Sequence, residues 1–267
     1  MKKIIIGSLF IAISLFADKI NLIEVSKNNL SELPIENVEI IDLKDPIEPS
    51  GLTLDKNNID ILYIVSDNGY LCSYNDSTKE GNCDLINKNL DLEGITSINN
   101  EIYVANEGKD ELVNLNNSNH FKIPRKIKDL VILGEKSSDG IEALTFLYNK
   151  NNKDYFAISN QSDNIGGNDS SNIIFFSKNS NNEINIEKVF LFNIIDISGL
   201  FYSNNNLLFI SDTENILVKM NLDSYNTKTY NLPGKDQEGI VLNEFFNILY
   251  IAQDSGDILK FYLNKDL

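Results

Sequence analysis

Apolar residues in this chain come in short runs, not in long helical stripes. Ile61-Leu62-Tyr63-Ile64-Val65, Ile102-Tyr103-Val104-Ala105, Tyr155-Phe156-Ala157-Ile158, Leu207-Leu208-Phe209-Ile210 and Leu249-Tyr250-Ile251-Ala252 recur at wide intervals. Runs apolar on both faces are expected of strands sandwiched between neighbouring layers. Each run ends on a small polar residue and an acid or amide: Ser66-Asp67, Asn106-Glu107, Ser159-Asn160, Ser211-Asp212 and Gln253-Asp254. A turn rich in Asn, Asp or Lys separates each from an earlier apolar strand with its own signature: Pro49-Ser50-Gly51-Leu52, Leu92-Glu93-Gly94-Ile95, Ile141-Glu142-Ala143-Leu144, Ile197-Ser198-Gly199-Leu200 and Gln237-Glu238-Gly239-Ile240. No convincing amphipathic helix interrupts the pattern.

The unit therefore occurs five times, its markers Gly51, Gly94, Ala143, Gly199 and Gly239 lying 43, 49, 56 and 40 residues apart. That is the length of one propeller blade of four short strands, so the chain is predicted to be all-β, a five-bladed β-propeller over residues 37–267. Third strands are expected at 69–74, 112–115, 173–177, 216–221 and 258–263, and fourth strands at 83–86, 130–133, 186–192 and 228–232. The fifth repeat holds only about three strands, so the alternating segment 38–43 is expected to supply the missing one and close the ring. Residues 18–36 read as an N-terminal extension with an edge strand at 22–25. Six blades is the alternative, if that segment and the first strands form an extra one. The polar tracts 149–154 and 161–172 read as loops inserted into the third repeat, because the repeat resumes on both sides.

Before the repeats, Met1-Lys2-Lys3 is basic, residues 4–16 are mainly apolar, and Ala17 precedes Asp18-Lys19. Residues 1–17 therefore read as a secretory signal peptide, too short to span a bilayer comfortably. A periplasmic or secreted protein is expected, with no stable membrane insertion after cleavage. Cys72 and Cys83 are the only cysteines and fall on facing strands of one hairpin. In an exported protein they are expected to form a disulfide, which over so short a loop stabilises by roughly 2–3 kcal/mol. Two thiolates and the single His120 do not make a zinc cage. His120 lies in an Asn/Ser stretch and reads as a solvated loop residue.

The formal net charge is −16. Nucleic acid and anionic membranes are poor partners for such a chain, and cations are good ones. In a propeller the first strand of each blade is innermost and the second runs antiparallel beside it. The residue entering the first and the residue leaving the second then share one end of the blade. Those positions hold Ser50 and Asp67, Glu93 and Glu107, Glu142 and Asn160, Ser198 and Asp212, Glu238 and Asp254. Carried round a ring, Glu93, Glu142 and Glu238 converge on one mouth, with Asp67, Glu107, Asp212 and Asp254 slightly further out. Crowded carboxylates raise one another's pKa or recruit a counter-charge. Arginine is nearly absent, Arg125 being the only one, so a hard cation is the economical counter-charge. Calcium suits such a ring because it accepts six to eight oxygen ligands in irregular geometry. The loop 163–169 is the next candidate for the ion. Strand-entry and turn chemistry copied by duplication is the other reading of the same positions.

Taken together, Glu-Pro-Ser-Gly-Leu-Thr at 48–53, Asp-Leu-Glu-Gly-Ile at 91–95, Ile-Ser-Gly-Leu at 197–200 and Gln-Glu-Gly-Ile at 237–240 resemble the SdiA-regulated or YjiK-like family of exported β-propellers. That family is similar to calcium-regulated propellers and, more distantly, to esterase-like phytases. The resemblance covers roughly residues 38–264 and departs at Ala143 and Asn160. It is more specific for the architecture than for activity; the leading reading is a calcium-binding propeller, expected to be monomeric, that acts as a binding or sensing module. A metal-dependent, phytase-like phosphoesterase is the alternative, in which Glu93 or Glu238 would activate water. Phosphate sites normally add Arg or Lys to the metal, and these are scarce here. No Gly-x-Ser-x-Gly or metal-spaced histidine pair is present. A platform for a protein partner is the third reading, since propellers host many functions.

Overall fold

The computed structural model describes residues 19–43, 47–127, 130–133, 140–162 and 171–267. The proposed signal peptide 1–17 and the loop 163–169 lie outside the described residues. Five antiparallel sheets are arranged around one axis as a five-bladed propeller. From the axis outward, blade 1 comprises Pro49–Leu54, Ile61–Ser66, Tyr70–Asn75 and Glu80–Leu85, and blade 2 comprises Leu92–Ile98, Glu101–Asn106, Glu111–Asn114 and Asn119–Lys122. Blade 3 comprises Ile141–Lys150, Lys153–Asn160, Asn172–Asn179 and Ile184–Phe192, and blade 4 comprises Ile197–Ser203, Asn206–Ser211, Ile216–Asn221 and Thr227–Asn231. Blade 5 takes Gln237–Asn243, Ile248–Gln253 and Asp257–Leu263 from the C-terminal end of the chain and Ile35–Asp42 from its N-terminal side. Each inner strand lies against the inner strands of both neighbouring blades, that of blade 5 against that of blade 1.

Asparagine supplies the tight turns. The inner hairpins of blades 2, 3 and 4 turn on Asn99-Asn100, Asn151-Asn152 and Asn204-Asn205, all six with positive φ. That is the backbone a two-residue hairpin needs to match the twist of its strands, and asparagine tolerates it better than most residues. The apolar residues between the turns fill the gaps between blades. Among the described residues five buried clusters form, each bridging two adjacent blades: Val65 and Leu92 between blades 1 and 2, Tyr103 and Phe156 between 2 and 3, Phe190 and Phe209 between 3 and 4, Ile210 and Ile251 between 4 and 5, and Ile64 and Tyr250 between 5 and 1. Hydrophobic burial therefore holds blade to blade all round the ring.

The ring closes as expected. Ile35–Asp42 pairs antiparallel with Asp257–Leu263, with Ile41 opposite Ile258 and Val38 opposite Phe261. A sixth blade does not form. Ile20–Ile23 instead adds in parallel to the outer strand of blade 3, and Ser31–Glu32 adds in parallel to that of blade 4. The segment is fastened by Asn193, whose Oδ1 accepts from Val25 N at 2.6 Å and whose Nδ2 donates to Val25 O at 3.1 Å. It thus covers two sheet edges that would otherwise offer unpaired backbone groups.

Blade 2 departs from the sequence reading. Its outer strand is Asn119–Lys122, not the apolar run 130–133, and His120 is therefore a strand residue whose Nδ1 lies 3.0 Å from Glu111 Oε1. The outer edge of a blade faces water, so Asn119-His120-Phe121-Lys122 needs only Phe121 buried and carries little apolar signal. Val131, Ile132 and Leu133 are buried, with Ile132 and Leu133 in the cluster between blades 2 and 3. Cys72 and Cys83 face each other in register on the third and fourth strands of blade 1 and are disulfide-bonded.

Candidate functional site: an acidic mouth on the propeller axis

Every inner strand opens with a β-bulge. The pairing with the second strand slips between Pro49 and Gly51, Leu92 and Ile95, Ile141 and Leu144, Ile197 and Gly199, and Gln237 and Ile240. A bulge inserts a residue, breaks the alternation of faces and re-aims a side chain. The re-aimed positions are those of Ser50, Glu93, Glu142, Ser198 and Glu238. Glycine follows in four of the five because the inner strands nearly touch: a Cβ on Gly94 would lie 2.2 Å from Leu144 N, and one on Gly51 2.3 Å from Glu93 O. Blade 3 keeps the bulge with Ala143, which is buried against blade 4. This convergence pinches the axis to a cavity of about 10 Å³ lined by the bulge residues, near the minimum for one water molecule.

Above the pinch the predicted acids gather. The charges raising Glu93 include those of Glu238, Glu107 and Asp67, those raising Glu142 include Glu93, Glu107 and Glu238, and those raising Glu238 include Asp212 and Asp254. In blade 3 the pairing expected from sequence is off by one. Asn160 occupies the register of Ser66, Asn106, Ser211 and Gln253, so Gln161 is the counterpart of Asp67, Glu107, Asp212 and Asp254. Asn160 serves its own blade, its buried Oδ1 accepting from Asn172 N at 2.7 Å.

A further row of acids escaped the sequence reading. The residue just before each inner strand is Glu48, Asp91, Gly140, Asp196 or Asp236. In four blades its carbonyl accepts the N–H of the residue after the second strand: Asp91 from Glu107, Gly140 from Gln161, Asp196 from Asp212 and Asp236 from Asp254. These hydrogen bonds bring the two rows together. The signal was an acid two residues before each bulge position in four repeats, which turn-forming preference had masked.

The rows differ in their bonding. Glu107 Oε1 accepts Gly140 N–H at 3.0 Å, and Asp212 Oδ1 accepts Gln237 N–H at 2.7 Å, so each ties its blade to the next. No hydrogen-bond donor meets the carboxylates of Glu93, Glu142 or Glu238 among the described residues. Asp67 Oδ1 is also buried without a donor. Asp91, Glu93 and Glu107 offer oxygens that all lie within 4.8 Å of one another.

Burial and mutual repulsion leave these groups reluctant to ionise. Glu142, 7% exposed, is held well above the usual carboxylate range by burial first and by Glu93 next. Glu93 is raised well above that range by burial and then by Asp91. Burial lifts Glu238 to about 8 and Glu107 to about 7, the Gly140 N–H opposing the rise in Glu107. Burial also raises Asp212 and Asp254, and a hydrogen bond shared with Asp67 raises Glu48. The only arginine is elsewhere, clamping Asp110 at 2.9 Å and donating to Leu133 O at 3.2 Å.

The geometry defines a five-bladed propeller with a closed axis and one acidic mouth. No family model and no curated protein matches the sequence. Among solved structures the fold is similar to the glutaminyl cyclase of Myxococcus xanthus, with a TM-score of 0.60 and 8% identity over 87% of this chain and 98% of that one. It is also similar to a gluconolactonase of Xanthomonas campestris, with a TM-score of 0.54 and 8% identity over 89% of this chain and 96% of that one. At such identity the likeness is one of fold.

Proposed function

We propose that the acidic mouth binds a hard divalent cation, calcium by preference, and that the protein is an exported binding or sensing module of the SdiA-regulated or YjiK-like kind. The observation that carries this reading is the gathering of Asp91, Glu93 and Glu107 oxygens within 4.8 Å beside bulge glutamates that no donor satisfies. A set of carboxylate oxygens without histidine or thiolate suits calcium or magnesium, not zinc or copper. Glu93, Glu142 and Glu238 would lie nearest the ion, with Asp67, Asp91, Glu107, Asp212 and Asp254 around them. The cation would supply the positive charge that lets these acids ionise together. Export rests on the segment 1–17 and agrees with the Cys72–Cys83 bond; among the described residues no helix is long and apolar enough to cross a membrane. The family assignment rests on the repeated motifs.

Glu107 near 7 and Glu238 near 8 support a second reading, since carboxyl groups that titrate near neutrality can act as general bases. In a metal-dependent hydrolase one of them would take the proton of a water that attacks a substrate held at the mouth.

Calcium titration by calorimetry, with melting curves in parallel, tests the first reading. Binding by the wild type and its loss in Glu93→Gln/Glu238→Gln is the expected result. Absence of binding for both calcium and magnesium would overturn it. Release of phosphate from phytate or p-nitrophenyl phosphate with added calcium would establish the second reading, and silence on both would remove the phosphoesterase.

A further inference from the structure

Beyond the pinch, at the opposite end of the axis, the five inner strands open into a second cavity of about 390 Å³. All five blades line it, and its walls are apolar and aromatic: Leu54, Ile95, Phe146, Leu200, Tyr202 and Leu242 are among them. Pockets of this size and lining are the usual seats of small ligands. Two buried hydroxyls in the lining have a proton to give. Thr96 Oγ1 accepts from Phe146 N at 3.1 Å and Thr145 Oγ1 accepts from Tyr202 N at 3.2 Å, so each hydroxyl keeps its own proton to give. Asp55, the carboxylate at the rim, is already engaged by Asn57 N at 2.7 Å and Tyr63 Oη at 3.1 Å.

Lys56 is the cation of this cavity. Its Nζ lies 4.3 Å from the centroid of the Phe146 ring, and among the described residues no carboxylate pairs with it. The residue as a whole is exposed, yet the protein around its ammonium lowers its pKa by burial. Lys228 stands likewise over Tyr230, at 4.5 Å on the outer strand of blade 4, but Lys56 is the one of the two that lines the cavity. It offers one anionic group a partner beside the apolar and aromatic side chains of the wall.

We infer that this cavity binds small molecules that combine a flat apolar body with one anionic group, such as an aromatic carboxylate or sulfonate. The body lies against Phe146 and Tyr202, and the anionic group meets Lys56 with the Thr96 and Thr145 hydroxyls nearby. This site is separate from the acidic mouth, because the bulges close the axis between them.

The probes are 8-anilinonaphthalene-1-sulfonate and its uncharged relative N-phenyl-1-naphthylamine, titrated by fluorescence against the folded full-length protein. Each is expected to bind once. Lys56→Gln should weaken the sulfonate about tenfold, the size of one hydrogen bond to a charged group, and leave the neutral probe unchanged. Phe146→Leu, which keeps an apolar contact with Phe156, should weaken both. Lys228→Gln, on the outer strand of blade 4, and Glu93→Gln/Glu238→Gln should weaken neither. The proposal is overturned if the folded protein binds neither probe, if Lys56→Gln leaves the sulfonate unchanged, or if Lys228→Gln costs as much as Lys56→Gln. Circular dichroism of each variant separates lost binding from lost fold.

Discussion

At the N-terminal ends of the inner strands stand Glu93, Glu142 and Glu238, ringed by other carboxylates; at the far ends of the same strands stand Leu54, Phe146, Tyr202 and Leu242. Backbone register makes the difference. At the first end every strand bulges, so a residue leaves the blade-to-blade packing and turns to the axis. At the second end side chains return to alternation in four blades, blade 3 slipping once more between Phe146 and Tyr148, and the wall is built from residues that also pack between blades. A charged group at the acidic end has mainly like charges for neighbours, whereas Lys56 at the other end has an aromatic ring. One end therefore calls for a cation and the other accepts an anion, and the glycine-lined pinch keeps them apart.

Gly94→Ala attacks that pinch and should have the largest effect. Its Cβ would fall 2.2 Å from Leu144 N and 2.6 Å from Ala143 C, backbone atoms that cannot move without shifting a blade. A loss of about 3 kcal/mol in urea denaturation is expected, at the upper end for overpacking. A loss below 1 kcal/mol would mean the inner strands are less tightly opposed than the geometry requires.

Calcium should come next. At a hundredfold excess over its dissociation constant an ion bound only by the folded state adds about 2.7 kcal/mol. The melting temperature should rise with calcium in the wild type and in Lys56→Gln, but not in Glu93→Gln/Glu238→Gln. An equal rise in all three would place the ion away from the mouth.

Proton linkage gives an opposite signature without metal. The mouth glutamates have folded-state pKa values above their unfolded values, Glu107 at about 7 and Glu238 at about 8. Between the ordinary carboxylate range and about pH 8 the folded chain holds more protons than the unfolded one, so stability should fall as pH rises through that window. Metal-free protein should therefore melt higher at pH 5 than at pH 8. Replacing Glu93 and Glu238 with Gln should flatten the dependence, and added calcium should restore stability at pH 8. A wild type that gains stability from pH 5 to pH 8 without metal would contradict the buried, proton-holding state of the mouth.

Lys56→Gln should change stability least, by less than about 0.5 kcal/mol, as for a surface residue free of ion pairs. A larger loss would assign Lys56 to the fold and not to a ligand.

Much of this architecture is written locally. Five apolar runs with a marker and an acid at each end suffice for blade number, strand polarity and the gathering of Glu93, Glu142 and Glu238 at one end, because antiparallel neighbours and a ring leave little freedom once the period is known. The strand at 38–43 could be assigned to closure because the last repeat lacked a partner. The facing cysteines needed only a hairpin.

Tertiary structure decided what depends on register and solvent. The outer strand of blade 2 was hidden because an edge facing water needs a single buried residue, Phe121, while the apolar run at 130–133 was free to pack elsewhere. The counterpart of Asp212 in blade 3 proved to be Gln161, since a bulge shifts pairing by one residue without altering composition. Glu48, Asp91, Asp196 and Asp236 joined the mouth only when backbone hydrogen bonds set the loops beside the strand ends. The closed axis and the cavity behind it depend on distances between strands of different blades, and separations across the ring are fixed by packing, which no single stretch of the chain contains.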